Sequence, residues 1–222
     1  AITDTIKLTK HAVKLGCSGV LMLPPFYYKT VDDAGLFNYF SNVIESVNDD
    51  RLMIYLYHIP PIAIVGVSLN LIETLLTKYP QHIAGIKDSS GDWSNTQRML
   101  DENWDDFSIF AGSESFLLKT MQAGGSGCIS ATANINPKNI FDVYKNWQLS
   151  DAPKMQEKIN AVRSIVQNYP LIPALKCIIS HFHEDQNWNI LRPPLTSLNH
   201  SDSKKLITEL TSINFTLGTK NQ

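Results

Sequence analysis

The sequence predicts an α/β fold in which short apolar strands alternate with amphipathic helices around a parallel sheet. Three observations carry that prediction. The strand candidates 18–23, 52–57, 83–86, 107–111 and 127–130 are mostly apolar throughout rather than alternating, the pattern of strands covered on both faces. Segments whose apolar residues recur at helical spacing lie between them, which is the repeated βα unit. Residues with chemical capacity fall at the ends of several strands. A doubly wound open sheet also fits the units, but it gathers its ligand at one switch point. A (β/α)₈ TIM barrel builds its site from several strand ends, and the placement here favours it.

Taken in order, Thr3 to Leu15 sets Ile6, Leu8, Ala12, Val13 and Leu15 among lysines and threonines, a helix with one buried face. Gly16 suits its C-cap. The first strand ends at Pro24-Pro25, before a loop of Phe26, Tyr27 and Tyr28. Leu36 to Val47 reads as a helix, with Asp49-Asp50 as a turn. The second strand closes on His58-Ile59-Pro60-Pro61, and Ser68 can N-cap the helix Leu69 to Lys78. Lys87 stands at the end of the third strand, ahead of a helix from Trp93 to Asp101. A helix from Ser115 to Ala123 joins the fourth strand to the fifth. Pro137 opens a helical region, broken near Ser150 and Pro170, that runs to Phe182. Ser201 to Leu210 is the last helix, and the tail beyond Asn214 is expected to fray. The chain divides into a partial barrel over 1–150 and a helical region packed on it over 151–222.

Composition excludes several function classes. The 222 residues are 43% hydrophobic and 18% charged with a formal net charge of -2, which is no footprint for nucleic acid or a membrane surface. Three well-separated cysteines, Cys17, Cys128 and Cys177, suit a reducing cytoplasm better than a disulfide framework or a zinc ribbon. The apolar runs stop short of a membrane span.

Two residues carry the chemistry. Lys87 follows an apolar strand within Gly85-Ile86-Lys87-Asp88-Ser89-Ser90-Gly91. Desolvation there disfavours the ammonium form, and a neutral amine can attack a ketone to form an imine. The bland reading is a lysine paired with Asp88 at a loop edge. Tyr57, alternating with Tyr55, ends its strand, where a phenol can relay protons; the bland reading is aromatic packing. His58 is a second candidate base or a loop histidine bonded to backbone. His181 and His183, two apart on a helix, do not face each other, which argues against a metal site. Gly124-Gly125-Ser126-Gly127 precedes a strand and lacks the Lys-Ser/Thr of a phosphate loop, so it reads as a helix-to-strand turn.

Four motifs in order resemble the dihydrodipicolinate synthase and N-acetylneuraminate lyase superfamily. Leu23-Pro24-Pro25-Phe26-Tyr27-Tyr28-Lys29 is similar to the loop after the fourth barrel strand, and Tyr55-Leu56-Tyr57-His58-Ile59-Pro60 to the motif after the fifth. Gly85 to Gly91 resembles the Schiff-base lysine motif after the sixth, and Gly127-Cys128-Ile129-Ser130-Ala131-Thr132-Ala133-Asn134 the segment at the eighth. The resemblance implies that Lys87 forms the imine, that Tyr57 is the catalytic phenol, and that Tyr27 joins the proton relay across a subunit interface. It places the Ile129 carbonyl beside bound pyruvate. It also implies a homotetramer and no metal or organic cofactor, with a 2-oxo acid such as pyruvate and an aldehyde as the small-molecule partners.

The departures shape the expectation further. The family's first three βα units, with their Gly-Thr-Thr-Gly-Glu motif, are absent from the sequence, so a barrel lacking about those units and followed by C-terminal helices is expected, inactive in isolation. Ile62 stands where the synthases carry an arginine for the second substrate. Gly112-Ser113-Glu114-Ser115 does not reproduce the Asp-Glu pair of the neuraminate lyases, and Ser113 and Glu114 become the candidates for the variable part of the substrate. Two alternatives stay open: a sugar-acid dehydratase or hydratase-aldolase of the same superfamily, and a non-catalytic paralogue serving in assembly.

Overall fold

A computed structural model describes residues 1–217. The elements in chain order are α1 (Ile2–Lys14), β1 (Val20–Met22), α2 (Asp33–Val47), β2 (Ile54–His58), α3 (Pro60–Ala63), α4 (Leu69–Lys78), β3 (Ile83–Asp88), α5 (Trp93–Asp101), β4 (Ser108–Ala111), α6 (Leu117–Gln122), β5 (Gly127–Cys128), α7 (Pro137–Asn146), α8 (Ala152–Val166), α9 (Leu171–Phe182) and α10 (His200–Ser212). Three short 3₁₀ turns, Glu114–Phe116, Ala131–Asn134 and Gln186–Asn189, link them. Two compact units result. One holds Ala1–Gly112 with Ala123–Cys128, the other Ser113–Gln122 with the chain from Ile129 onward. The division cuts through the connection from β4 to β5, upstream of residue 150.

The first unit contains the sheet, five parallel strands in the order β1-β2-β3-β4-β5. Its two faces are unequal, which corrects the expectation of strands covered on both sides. On β2, Ile54, Leu56 and His58 are buried while Tyr55 and Tyr57 are only half-buried. The reason is where the helices pack. Phe40, Val43 and Ile44 of α2 and Leu71, Ile72 and Leu75 of α4 join Ile54, Leu56, Ile83 and Ile86 in one apolar cluster on the first face. Each such side chain contributes about 1.5–3 kcal/mol when fully buried. The second face carries aromatic and polar groups, with Tyr55 meeting Phe110 edge-on at 6.0 Å.

Local signals set the ends of the elements. The Ser68 hydroxyl accepts from the Leu71 N–H and starts α4 as expected. Asp32 and Asp92 cap α2 and α5 in the same way. Beyond α1, Gly16 N–H donates to Val13 and Cys17 N–H to Ala12, the paired bonds that close a helix through a left-handed residue. β3 extends two residues past its apolar run, because the ladder continues through Lys87 and Asp88 to partners on both sides. Gly85 lets β3 and β4 approach closely: a Cβ there would lie 2.2 Å from the Ser108 carbonyl oxygen. The four-residue helix α3 occupies a segment expected as loop, with Pro60 and Pro61 favouring its first turn.

The second unit is helical. Breaks fall where Ser150 and Pro170 suggested them, between α7 and α8 and between α8 and α9. Ile135, Val162, Val166, Ile178, Leu206 and Leu210 form its core. The expected fraying beyond Asn214 does not begin there: Phe215 is 7% exposed and packs edge-on against Phe182 at 5.5 Å. Burial of one aromatic ring outweighs the ordering of so short a segment. The rest of that expectation, over 218–222, lies outside the described residues. Among the described residues no helix is long and apolar enough to cross a membrane.

Candidate active site

β2 and β3 run side by side with Tyr57 opposite Lys87 and His58 opposite Asp88. Successive side chains on a strand point to opposite faces. Tyr57 and Lys87 therefore share the open face, and His58 and Asp88 the helix-covered one. On the open face, Lys87 Nζ donates to Tyr57 Oη at 3.1 Å and lies 4.3 Å from the centre of the same ring. Among the described residues no carboxylate comes within ion-pair distance of this amine. Phe110 flanks it in the register of β4. The site pairs an amine with a phenol and leaves both half-exposed.

The loop-edge pairing of Lys87 with Asp88 is overturned. Asp88 is 3% exposed, and its carboxylate is engaged elsewhere. Oδ1 accepts from the Ser90 N–H at 2.9 Å, and Oδ2 from Thr96 Oγ1 at 2.7 Å and Asn95 Nδ2 at 3.1 Å. His58 is not a base on the lysine face either. Its Nδ1 accepts from the Val67 N–H at 2.9 Å, which leaves the ring proton of the neutral form on Nε2. Burial holds this imidazole below its ordinary range, against the opposing pull of the Asp88 charge.

A second polar cluster lies in the helical unit. Glu114 is 1% exposed. Its carboxylate accepts from the hydroxyls of Ser130 and Thr132, and the Arg163 guanidinium stands 3.4 Å away. Gln156 donates to the Glu114 backbone carbonyl at 2.9 Å and accepts from the Leu118 N–H at 3.0 Å. Ser113 Oγ accepts from the Ser115 N–H at 3.2 Å and shapes the turn before α6. Ile129 directly precedes Ser130 and is 38% exposed.

Comparison with known proteins decides the family. The model of the dihydrodipicolinate synthetase family matches residues 1–213. The chain belongs to that family. It is 33% identical over 205 residues to an uncharacterized DapA-like lyase of Chloroflexus aurantiacus, covering 91% of this chain and 67% of the relative. It is 31% identical to a 4-hydroxy-tetrahydrodipicolinate synthase of Methanopyrus kandleri, covering 69% of this chain and only 50% of that one. The structure is similar to dihydrodipicolinate synthase from Agrobacterium tumefaciens, with a TM-score of 0.85, 30% identity, and 96% of this chain against 72% of that chain covered. It is equally similar in fold to YagE of E. coli K12, solved in complex with pyruvate, with a TM-score of 0.85, 25% identity and the same coverage. The α/β fold with its parallel sheet is thus the one these family members share.

Within this family member, the residues singled out from the sequence separate into two groups. Lys87 and Tyr57 come together. Tyr27 stays apart: it is 85% exposed, its ring meets Tyr28 edge-on at 5.3 Å, and it has no hydrogen bond to Lys87 or Tyr57 among the described residues. Tyr27 instead lines an apolar cavity of about 770 Å³ beside β1, together with Leu8, Leu21, Leu23 and Phe26, and neither Lys87 nor Tyr57 borders it. Ile62 is also exposed, on α3, and Lys29 ties the Tyr27 loop to that helix by donating to the Ala63 carbonyl at 3.3 Å. His181 packs on Phe182, and among the described residues no group of three metal-ligating side chains forms. The sequence reading did not single out Asp88 as an anchor, nor Ser130, Thr132, Gln156 and Arg163. The available signal was polar residues, such as Thr96 and Gln156, on helix faces that otherwise turn inward.

Proposed function

We propose that this chain carries the imine chemistry of a pyruvate-dependent lyase. The observation that supports the reading is the 3.1 Å contact between the Lys87 amine and the Tyr57 phenol on the open face of the sheet. In the proposed reaction Lys87 Nζ attacks the keto carbon of a 2-oxo acid and gives a carbinolamine. Tyr57 Oη takes up and returns protons as that intermediate loses water to become the imine. The protonated imine withdraws electrons from the adjacent carbon. Loss of a proton there gives an enamine, which adds to an aldehyde to form a C–C bond, and the reverse sequence breaks one. The lysine is itself the electron sink, so the reaction calls for no organic cofactor or metal.

The same reading treats the five βα units as strands four to eight of a (β/α)₈ barrel, followed after residue 150 by a helical region. On the family resemblance, the Ile129 carbonyl faces the bound acid. Ser113 and Ile62 contact the substrate, with Glu114 as a further candidate, Tyr27 joins the proton relay, and the working enzyme is a cytoplasmic homotetramer. The engagement of Glu114 with Ser130, Thr132 and Arg163 favours a supporting role for it over direct recognition. Ile62 at the arginine position argues against the second substrate of the synthases and leaves the alternative of a dehydratase or hydratase-aldolase acting on a sugar acid.

Borohydride trapping with pyruvate on a full-length version of the protein tests the proposal. A reduced adduct on the peptide containing Lys87 is expected. Its absence at saturating pyruvate overturns the imine assignment. Release of free pyruvate from a panel of 2-oxo sugar acids then separates aldol cleavage from simple dehydration.

A further inference from the structure

The row of the ladder beyond the Tyr57–Lys87 pair is His58 opposite Asp88, on the other face of the same two strands. It is the last row of that register. Here three backbone and side-chain anchors converge on Asp88. Its carboxylate closes the turn to Ser90 and takes the Thr96 hydroxyl and the Asn95 amide from the first turn of α5. Its carbonyl accepts from the Gly112 N–H at 2.7 Å, which fixes the end of β4. The next N–H, of Ser89, donates to the His58 carbonyl at 2.7 Å, which fixes the end of β2. Gly112 is fitted to this point: a Cβ there would lie 2.1 Å from Ser89 Oγ and 2.8 Å from the Asp88 carbonyl oxygen. Asp88 thus stands where β2, β3, β4 and α5 are tied together, one residue from the amine and turned away from it.

We infer that Asp88 is a positioning residue that holds the Lys87 amine against the Tyr57 phenol by bracing the strand ends from the helix-covered face. Two oxygens are needed here, because the Ser90 N–H meets one and the Asn95 amide and Thr96 hydroxyl meet the other. An amide at this position would turn its own N–H₂ towards the Ser90 N–H or the Asn95 amide and leave that part-buried donor without its acceptor. Thr96, 1% exposed, acts through Asp88 and not through the reacting atoms.

The inference rests on the imine reading for its kinetic test and on geometry for its structural one. The experiment compares the full chain with Asp88→Asn, Thr96→Val, Thr96→Ser and Leu75→Ala, the last a core deletion in α4 that serves as a stability control. The rate of borohydride-trapped adduct is followed against pyruvate concentration. With Asp88→Asn the trapping rate at saturating pyruvate is expected to fall roughly tenfold or more, as for a reacting group displaced by a fraction of an ångström. The half-saturating concentration is expected to change by less than about twofold, because the pyruvate-binding groups are untouched. Thr96→Val should show part of the loss and Thr96→Ser, which keeps the hydroxyl, should restore the rate. A trapping rate for Asp88→Asn equal to wild type, or an equal slowing by Leu75→Ala, overturns the inference. If Asp88→Asn does not fold, the Thr96 pair decides by the same criteria. If the unmodified protein traps no pyruvate, the imine reading fails on its own. A crystal structure of Asp88→Asn, or of Thr96→Val if the first does not fold, then decides the brace: an Nζ–Oη separation beyond about 3.5 Å supports it, and one still at 3.1 Å rejects it.

Discussion

Lys87 and Glu114 each stand at the centre of a polar cluster, and the two clusters are built in opposite ways. Glu114 is buried, and two hydroxyls and a guanidinium surround its carboxylate. Lys87 is half-exposed, with the Tyr57 phenol as its hydrogen-bond partner and, among the described residues, no carboxylate within ion-pair distance. A buried charge stripped of its partners carries a large desolvation penalty, so the first arrangement is costly to break. An amine that must attack a carbonyl needs room and an unshared lone pair, so the second arrangement leaves it accessible. The difference teaches where to look for chemistry: at a half-buried charged group whose partner is neutral.

Lys87→Ala should break the comparison most sharply. It is expected to abolish borohydride-trapped pyruvate, yet to change stability by only about 1 kcal/mol, the net worth of its hydrogen bond to Tyr57. Trapping together with urea denaturation checks both halves. Glu114→Ala should do the reverse. It is expected to cost about 3 kcal/mol in urea unfolding, because Arg163, Ser130 and Thr132 lose their common acceptor. Tyr57→Phe keeps the ring and removes the proton relay, so turnover should fall about 10²-fold while unfolding changes little. Steady-state kinetics beside a thermal melt reads this out.

A smaller effect comes from His58. Burial lowers its pKa, so the folded form resists protonation more than the unfolded chain does. The unfolded chain takes up the extra proton as pH falls below about 6.5. Stability is therefore intact above that pH and declines as pH drops from there towards the depressed native value, because the unfolded state binds more protons. Urea midpoints between pH 8 and pH 5 should fall more steeply for the native protein than for His58→Gln. Equal slopes would mean that the imidazole is not held neutral by the fold.

The parts of this molecule that were legible in the sequence are those with local causes. Lys87 and Tyr57 stood out because each interrupts or ends an apolar run, and Ser68 because a cap acts within three residues. The end of β3 was placed two residues early, since apolar pattern stops at Ile86 whereas the ladder is a backbone property that continues to Asp88. The bland alternative pairs Asp88 with Lys87 because the two are adjacent in sequence. On a strand adjacency means opposite faces, and its actual partners are Ser90, Asn95 and Thr96. The Glu114 cluster was beyond reach for a different reason: Ser130, Gln156 and Arg163 lie far along the chain, and no local spacing announces them. Phe215 misled because a lone aromatic in a polar tail gives no periodicity to read.

Gly85 limits how freely this chain can vary. It lies two residues before Lys87, on the same face, where β3 presses against the Ser108 carbonyl. Any larger residue would wedge those strands open immediately beneath the amine, so a substitution far too small to alter charge or polarity would still reach the reacting atoms. Libraries that aim to change which molecule the lysine engages should diversify the exposed loops and keep position 85 fixed.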